Sequence, residues 1–440
     1  MNKIMRGLVV SLAVLGASAA QAQSRTFSCG DIPNPKDVPK IEPIFRGRAG
    51  LNDANFDCMA WQDFIYFNWP ALPASRGLPN PMAKFGAKGP TVWETYRTIG
   101  TVFLPNGRNP GPWSSPILLT TLDSSLAKRV GDGEVRNLTM TSKISSQTLS
   151  HLLSAKSGMP DAVLEDIAQA GGGTLYDLNG LPVYYEVAMN KMQYDYILSN
   201  GLYNANTQAT FAQGTVISLP AKEDGSESSV EVKAAWKILS GSDNKAHFHT
   251  VQALIAGDKT PVTVGLVGFH VFIADGAQGA WATFAQVENA PVSTPAASGS
   301  FNFFNPACKQ DGNPCPVNVK DANPGQVVQI TPDDPTAERL NAYMHDLLKT
   351  YDAATPWQYY NLVNVQWATQ PVALSTLKAP QNTPLPDGGP NTPTMVNAVL
   401  ETFKQKDGMG CFTCHQYAGT AQKSFAASYS FMFEHATAPQ

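Results

Sequence analysis

The sequence is poor in charge. Only 15% of its 440 residues are Asp, Glu, Lys or Arg, against roughly a quarter in an average soluble domain. Its 31 cationic and 35 acidic side chains leave a formal net charge of −4. No basic face is implied, which argues against nucleic acid as a partner. After residue 22 no run reaches about 18 uninterrupted apolar residues, so no membrane span is expected in the mature chain. There is no Gly-x-Ser-x-Gly, no His-Glu-x-x-His and no dinucleotide fingerprint. Gly171-Gly172-Gly173 lacks the Lys-Ser or Lys-Thr of a phosphate loop and reads as a turn. No internal repeat is present.

Apolar residues make up a normal 43%, which argues against disorder over most of the chain, and 35 Gly with 33 Pro predict many turns and long loops. The length suits one large domain or two to three smaller ones. Residues 1–22 read as a secretory signal peptide of bacterial type. Lys3 and Arg6 form the charged region, Leu8 to Ala17 is a short apolar run, and Ala20-Gln21-Ala22 supplies the small-x-small cleavage pattern. The expected location is therefore periplasmic or secreted.

Export gives the six cysteines a meaning. In an oxidising compartment they pair unless they bind something. Cys308 and Cys315 flank a short loop whose Gly-Asn-Pro turn brings them together, and Cys29 with Cys58 is a plausible second pair. Cys411 and Cys414 remain. They belong to Cys411-Phe412-Thr413-Cys414-His415, the C-x-x-C-H attachment pattern of a c-type haem. Two thiols add to the haem vinyl groups, and the adjacent histidine lies under the iron as proximal ligand. A thioredoxin-like site would need a βαβ context and a zinc site further ligands; a plain disulfide leaves the histidine unexplained. The expected cofactor is one covalent haem c, with Cys411 and Cys414 as attachment points and His415 on the iron.

The flanking sequence predicts a helix that starts at Thr392-Pro393, carries Met395, Val396, Val399, Leu400 and Phe403 at helical spacing, and ends at Gly408 and Gly410. Only 25 residues follow His415, enough to cover one side of a porphyrin. The haem is then expected to lean on the upstream body. Its distal side falls to Met432, to His435, to a body residue of which His270 is the best candidate, or to nothing. Met432 in an aromatic run also reads as packing, His435 as a solvated residue, and His270 as a hydrogen-bonded core histidine.

The body, residues 23–370, reads as α+β: a β-rich central region at about 211–291 with peripheral helices and long loops, then a Pro-rich linker at 371–393 and a haem segment at 394–440. Ala60 to Trp69 predicts a helix with Trp61, Phe64, Ile65 and Asn68 on one face, ended by Pro70. Strands are expected at Pro182–Glu186, Thr215–Leu219, Val230–Leu239, His249–Ala256 and Pro261–Ala274, and helices at Gln193–Leu202 and Asp333–Lys349. The second helix carries Leu340, Tyr343, Met344, Leu347 and Leu348 on one side, with His345 exposed beside them. His247 and His249 would face the same way on a strand and could join His270 in a metal site; polar residues at a sheet edge are the simpler reading, since no acidic pattern accompanies them.

The chain resembles a group of bacterial exported proteins labelled as cytochrome c family proteins. Carrying the likeness are Ala60-Trp61…Asn68-Trp69-Pro70, Val92-Trp93-Glu94-Thr95-Tyr96, Tyr184-Tyr185-Glu186, Lys233-Ala234-Ala235-Trp236, Gly265 to His270, Trp281-Ala282-Thr283-Phe284, Asn364 to Trp367 and Cys411 to His415. The resemblance implies a monohaem periplasmic protein with a large body. It departs at Ala285-Gln286, where relatives carry an acidic residue and a histidine.

Three functions follow. The first is electron transfer to a redox partner protein. The second is a haem-dependent oxidoreductase, peroxidase- or oxygenase-like, with a small-molecule substrate and a distal site built by the body. The third is a ligand-binding or sensory haem protein. The size of the body favours the second, the lack of a catalytic set beyond the haem favours the first, and electron transfer is the expected function because it claims least, with the enzyme close behind.

Overall fold

The structure is a computed structural model. It describes residues 53–117, 124–140, 173–221, 227–256, 258–274, 279–292, 299–368, 395–405, 410–422 and 425–440. The leader, Cys29, the linker and the Thr392-Pro393 start signal lie outside them. In chain order the elements are helix α1 (Asp53–Phe67), strand β1 (Arg97–Thr98), the single turn α2 (Ile99–Val102), α3 (Ser124–Gly131), β2 (Val135–Leu138), β3 (Tyr184–Met189), α4 (Lys191–Ser199) and α5 (Ala205–Gly214). Next come β4 (Val230–Ile238), β5 (Thr250–Ile255), β6 (Val262–Ile273), β7 (Ala280–Gln286), the small hairpin β8 (Lys309–Gln310) and β9 (Asn313–Pro314), α6 (Pro335–Tyr351), β10 (Tyr360–Trp367) and α7 (Cys411–His415). The fold is α+β.

One eight-stranded sheet organises the molecule. Its path is β1-β3-β4-β6-β5-β2, with β7 joining β6 to β10. The twelve-residue β6 makes this branching possible. Along one edge it pairs β4, while the other edge is shared between β5 at its start and β7 at its end. All these pairs are antiparallel except β2 with β5. Met140, just past β2, bridges to Tyr185 of β3, so the sheet curls back toward itself.

The sheet is buried on both faces, which is why its strands read as near-continuous apolar runs. Against one face lie α1 and α6. Phe64 stacks on Phe284 at 4.3 Å, and Trp61 meets the same ring edge-on at 5.2 Å. Trp61, Phe64, Ile65 and Asn68 are all buried, so the aromatic face of α1 is core packing. Asn341 of α6 locks the layer: its Oδ1 accepts from Trp61 Nε1 at 3.0 Å and from the Leu362 N–H at 2.9 Å, and its Nδ2 donates to the Leu362 carbonyl.

Several expectations change on contact with the fold. Thr215–Leu219 forms no ladder. Ile217 makes a lone bridge to Ala427, and the preceding residues coil into α5, capped by Asn204. Ile217 and Leu219 still turn inward, so the alternation was real but records burial without pairing. On α6, Asp334 caps and Pro335 opens the helix; Met344 and Leu348 are buried while Tyr343 is exposed. His345 is half-buried, not exposed, because its Nε2 reaches the Tyr360 carbonyl oxygen at 2.9 Å. Cys308 and Cys315 are disulfide-bonded. The reversal between them is centred on Asp311 and Gly312, both at positive φ, the turn a two-residue hairpin demands. Cys58 is also disulfide-bonded, and its expected partner Cys29 lies outside the described residues.

Candidate functional site

The second face of the sheet is covered by the C-terminal segment. Two cross-strand rows of side chains point toward it. One row is Val187, Lys233, His270 and Thr283; the other is Glu231, Phe272, Trp281 and Gln366. Each row is used. Asn397 donates from Nδ2 to Thr283 Oγ1 at 2.9 Å and to the Phe284 carbonyl at 3.0 Å. The Phe412 N–H donates to Gln366 Oε1 at 3.2 Å, and Tyr185 Oη donates to the Val399 carbonyl at 3.1 Å. Gly268 on β6 lets the segment lie close: a Cβ there would sit 2.7 Å from Val399 Cγ2.

The segment is not helical where its apolar spacing predicted a helix. Residues 395–400 run as coil and turn, followed by a short 3-10 turn at Thr402–Lys404. Burial explains the difference. Met395, Val396, Ala398, Val399 and Leu400 are all buried, so the chain lies flat under cover instead of presenting one face. The Cys-x-x-C-His run itself forms the helix, α7, with Gly410 before its first residue. One turn of helix thus gathers both thiols and the imidazole.

His415 is the best-defined side chain of the run. Its Nδ1 donates to the Tyr429 carbonyl oxygen at 2.7 Å, so Nε2 is the nitrogen left for a ligand bond. Its ring lies 5.0 Å from Phe431 and 5.5 Å from Trp281, and Trp281 also meets Phe412 at 4.7 Å. Burial pushes the imidazole pKa down to about 4, and the charges of Lys233 and His270 act in the same direction. It is therefore neutral at ordinary pH, the form that binds iron. Cys411 and Cys414 are not in a disulfide. Burial and the nearby Glu401 push the Cys411 thiol well up, and its Sγ lies 3.9 Å from Met395 Sδ.

A polar group stands beside the motif. His270 Nε2 is 3.6 Å from Glu401 Oε2, and the Asn397 N–H donates to that same oxygen at 2.9 Å. Lys233, opposite His270 across the β4–β6 ladder, is half-buried. Burial lowers its pKa, while Glu401, Cys414 and Cys411 act on it electrostatically in the opposite sense. So the fold brings His270 into electrostatic reach of His415. The other two distal candidates are placed differently. Met432 is buried with its Sδ accepting from Gln193 Nε2 at 3.5 Å. His435 is half-buried rather than solvated, and burial pulls its pKa down to about 4.

His247 and His249 do not join His270. His247 ends a 3-10 turn, pairs with Glu288 at 2.7 Å and stacks on Tyr359. His249 pairs with Glu94 at 2.8 Å and stacks on Trp357. Each has a carboxylate partner after all, brought from distant sequence. Among the described residues no three His, Cys, Asp or Glu side chains gather to hold a bare metal ion. At the departure from the resemblance, Gln286 braces the loop after β7, where its Oε1 accepts from the Glu288 N–H and from Asn302 Nδ2.

A separate polar network lies where the sheet curls. Arg136 of β2 donates from Nε and Nη2 to the Glu186 carboxylate and from Nη1 to the Glu94 carbonyl, and Trp236 Nε1 donates to Glu186 at 2.8 Å. Burial works against the Glu94 carboxylate, but His249 and Arg136 together hold it below the usual range. A cavity of about 100 Å³ borders this network.

Sequence reading missed Lys233, Glu401, Glu231 and the Tyr429 carbonyl as parts of the site. Glu231 and Lys233 alternate with Val230, Val232 and Ala234, the pattern of a strand with one wet face. The wet face turns out to be the one covered by the C-terminal segment.

Comparison with known protein families, with curated proteins and with solved structures finds no match in any of the three.

Proposed function

We propose that this chain is a periplasmic c-type haem protein with one covalently attached haem and a redox function. The observation that carries the reading is the arrangement of α7. It holds two thiols that are not joined in a disulfide and, in the next residue, an imidazole kept neutral and oriented through Nδ1, so that Nε2 is the ligand nitrogen. Cys411 and Cys414 would hold the haem as thioethers and His415 would hold its iron. When bound, the haem supplies one-electron chemistry, which the rest of the chain does not.

The protein's part is to shape the surroundings. Trp281, Phe412 and Phe431 give the imidazole an apolar shell, which favours the less charged state of a bound iron. The Tyr429 carbonyl makes the imidazole a stronger ligand. Burial pushes the Cys411 thiol up and so disfavours its thiolate. Haem staining after denaturing electrophoresis of exported protein tests the reading; an unstained band from a haem-competent host rejects it.

Within this reading a haem-dependent oxidoreductase is favoured over a simple electron carrier by one observation. Lys233, His270 and Glu401 stand together beside the motif. An electron carrier needs only an apolar enclosure, whereas proton-coupled chemistry needs ionisable side chains near the iron. Carbon monoxide added to the reduced protein separates the two. Rapid binding supports the oxidoreductase, and no binding supports the carrier.

A further inference from the structure

We infer that the slot between β2 and β3 is a binding site for a small uncharged carbonyl compound, an amide or a ketone, held by Arg136. No residue of the attachment motif lines this space. The inference goes beyond the proposed haem function and does not depend on it.

The slot has a cause in the chain. β1 and β2 are the two ends of the sheet path, and both reach the same edge of β3. β1 pairs with Met189 and Ala188 and then stops, because Ile99 opens the turn α2. From the other side Met140, just past β2, bridges to Tyr185. Among the described residues, Glu186 and Val187 between them have no ladder partner on that edge. The cavity of about 100 Å³ occupies this interruption. Gly100 and Thr139 on its rim are exposed, which gives a ligand its way in.

The two strands that flank the slot each bring a buried charge to it. The side chains of Arg136 and Glu186 are only 3% and 6% exposed. A guanidinium has five N–H donors. Here Nε and one hydrogen of Nη2 go to the Glu186 carboxylate, and one hydrogen of Nη1 goes to the Glu94 carbonyl. Five less three leaves two N–H groups, and Arg136 has no further acceptor in the protein. Buried donors without an acceptor are costly, and this side chain lines a cavity.

The same count sets the chemistry of the ligand. The carboxylates are already engaged. Glu186 Oε1 also accepts from Trp236 Nε1, and the Glu94 oxygens meet His249 Nε2 and the Thr91 N–H. What the site lacks is an acceptor, so the ligand brings an oxygen. That oxygen is uncharged, because an anion would face two carboxylates against one guanidinium. Thr98 and Asn137 also line the space, and among the described residues their side chains make no hydrogen bond, so they can serve a second polar group. Ile99, Ile117, Val130 and Val187 line the rest and suit a short alkyl chain. An apolar cavity of about 150 Å³ holds benzene, so this one suits roughly four to six heavy atoms.

The test uses the exported mature chain with carbon-13 in its isoleucine δ1 methyls. Isobutyramide is the probe and isobutyrate its charged isostere. Ile99→Val and Ile117→Val identify the two methyl signals from the cavity wall. Isobutyramide is expected to shift both saturably, in the millimolar range that suits a ligand of this size. Isobutyrate is expected to bind at least about tenfold more weakly. Arg136→Met combined with Glu186→Gln removes the donors without leaving a lone buried charge, and Gln keeps an acceptor for Trp236. This double variant is expected to bind isobutyramide about tenfold more weakly or worse, the scale of lost charge-assisted hydrogen bonds. Wall methyls that ignore isobutyramide overturn the inference and leave the cavity to water. Isobutyrate that binds as tightly as the amide overturns it too, as does an unchanged affinity in the double variant. Should the double variant fail to fold, the contrast between amide and acid in the wild-type chain still decides. A chain with no Soret band that binds isobutyramide would reject the haem reading and support this one.

Discussion

The Nδ1–H of His415 donates to the carbonyl oxygen of Tyr429 at 2.7 Å. This one bond ties α7 to the residues just before the last 3-10 turn, Phe431–His435. It holds the proton on Nδ1 and leaves Nε2 as the nitrogen with a free lone pair. Tyr429 is in turn held in the core, its ring 5.6 Å from Phe412 and 6.1 Å from Trp281, so the sheet positions the imidazole through the tail.

Replacing both Cys411 and Cys414 with Ala is expected to abolish covalent haem. Each single replacement should leave one thioether and weaker staining. Haem staining after denaturing electrophoresis reads the outcome, and staining of the double variant at the wild-type level would reject the assignment.

His435 makes stability depend on pH in acid. Burial lowers its pKa to about 4, against about 6.5 in an unfolded chain. Between these values the unfolded chain binds more protons, so stability is complete above pH 6.5 and falls as the pH drops toward 4. The loss amounts to roughly 3 kcal/mol. His435→Gln should flatten this part of the profile in urea titrations at pH 4.5 and pH 7. A variant that loses as much stability as wild type over that interval would show that the ring is solvated.

Glu231 works in the opposite direction. Burial raises its carboxyl pKa to about 7, although Ser430 and Gln193 both hydrogen-bond to it and pull the value down. The Gln193 bond is 2.5 Å. The folded chain holds this proton after the unfolded chain has lost it, so the group costs stability as pH rises from about 4.5 through 7. Glu231→Gln keeps an acceptor for both neighbours. It should leave stability unchanged at pH 4.5 and raise it at pH 8 by roughly 2–3 kcal/mol. No gain at pH 8 would mean that the carboxylate is solvated there.

Gly268→Val should loosen the C-terminal segment. The added Cβ alone would meet Val399 Cγ2 at 2.7 Å and Leu400 Cδ1 at 3.1 Å. Overpacking of this kind costs about 1–3 kcal/mol, and here it falls on the contact between segment and sheet. Limited proteolysis should cut the variant between the body and residue 411 faster than wild type. Equal cleavage rates would show that the segment is not held there.

The centre of the sheet was legible because β4, β5 and β6 are apolar runs bounded by Gly, Ser and Asp, whereas the flanking strands β1, β2, β7 and β10 were not expected. The attachment motif was legible because its chemistry fixes its spacing. What escaped depends on long-range partners. His247 and His249 looked like polar edge residues until Glu288 and Glu94 arrived from other parts of the chain. The run from Met395 to Phe403 has helical spacing, yet contact on several sides removes the reason for a helix to form. The same holds for Lys233. Its strand pattern announces a solvated face, and only the return of residues 395–405 across that face turns an ordinary lysine into a withdrawn one.

Intact mass of the exported mature chain tests the haem assignment most directly. The expected value is the polypeptide mass, less two disulfides' worth of hydrogen, plus one haem that survives denaturation and maps to the peptide containing Cys411 and Cys414. A bare polypeptide mass from a haem-competent host, with those two cysteines as free thiols or joined to each other, would contradict it.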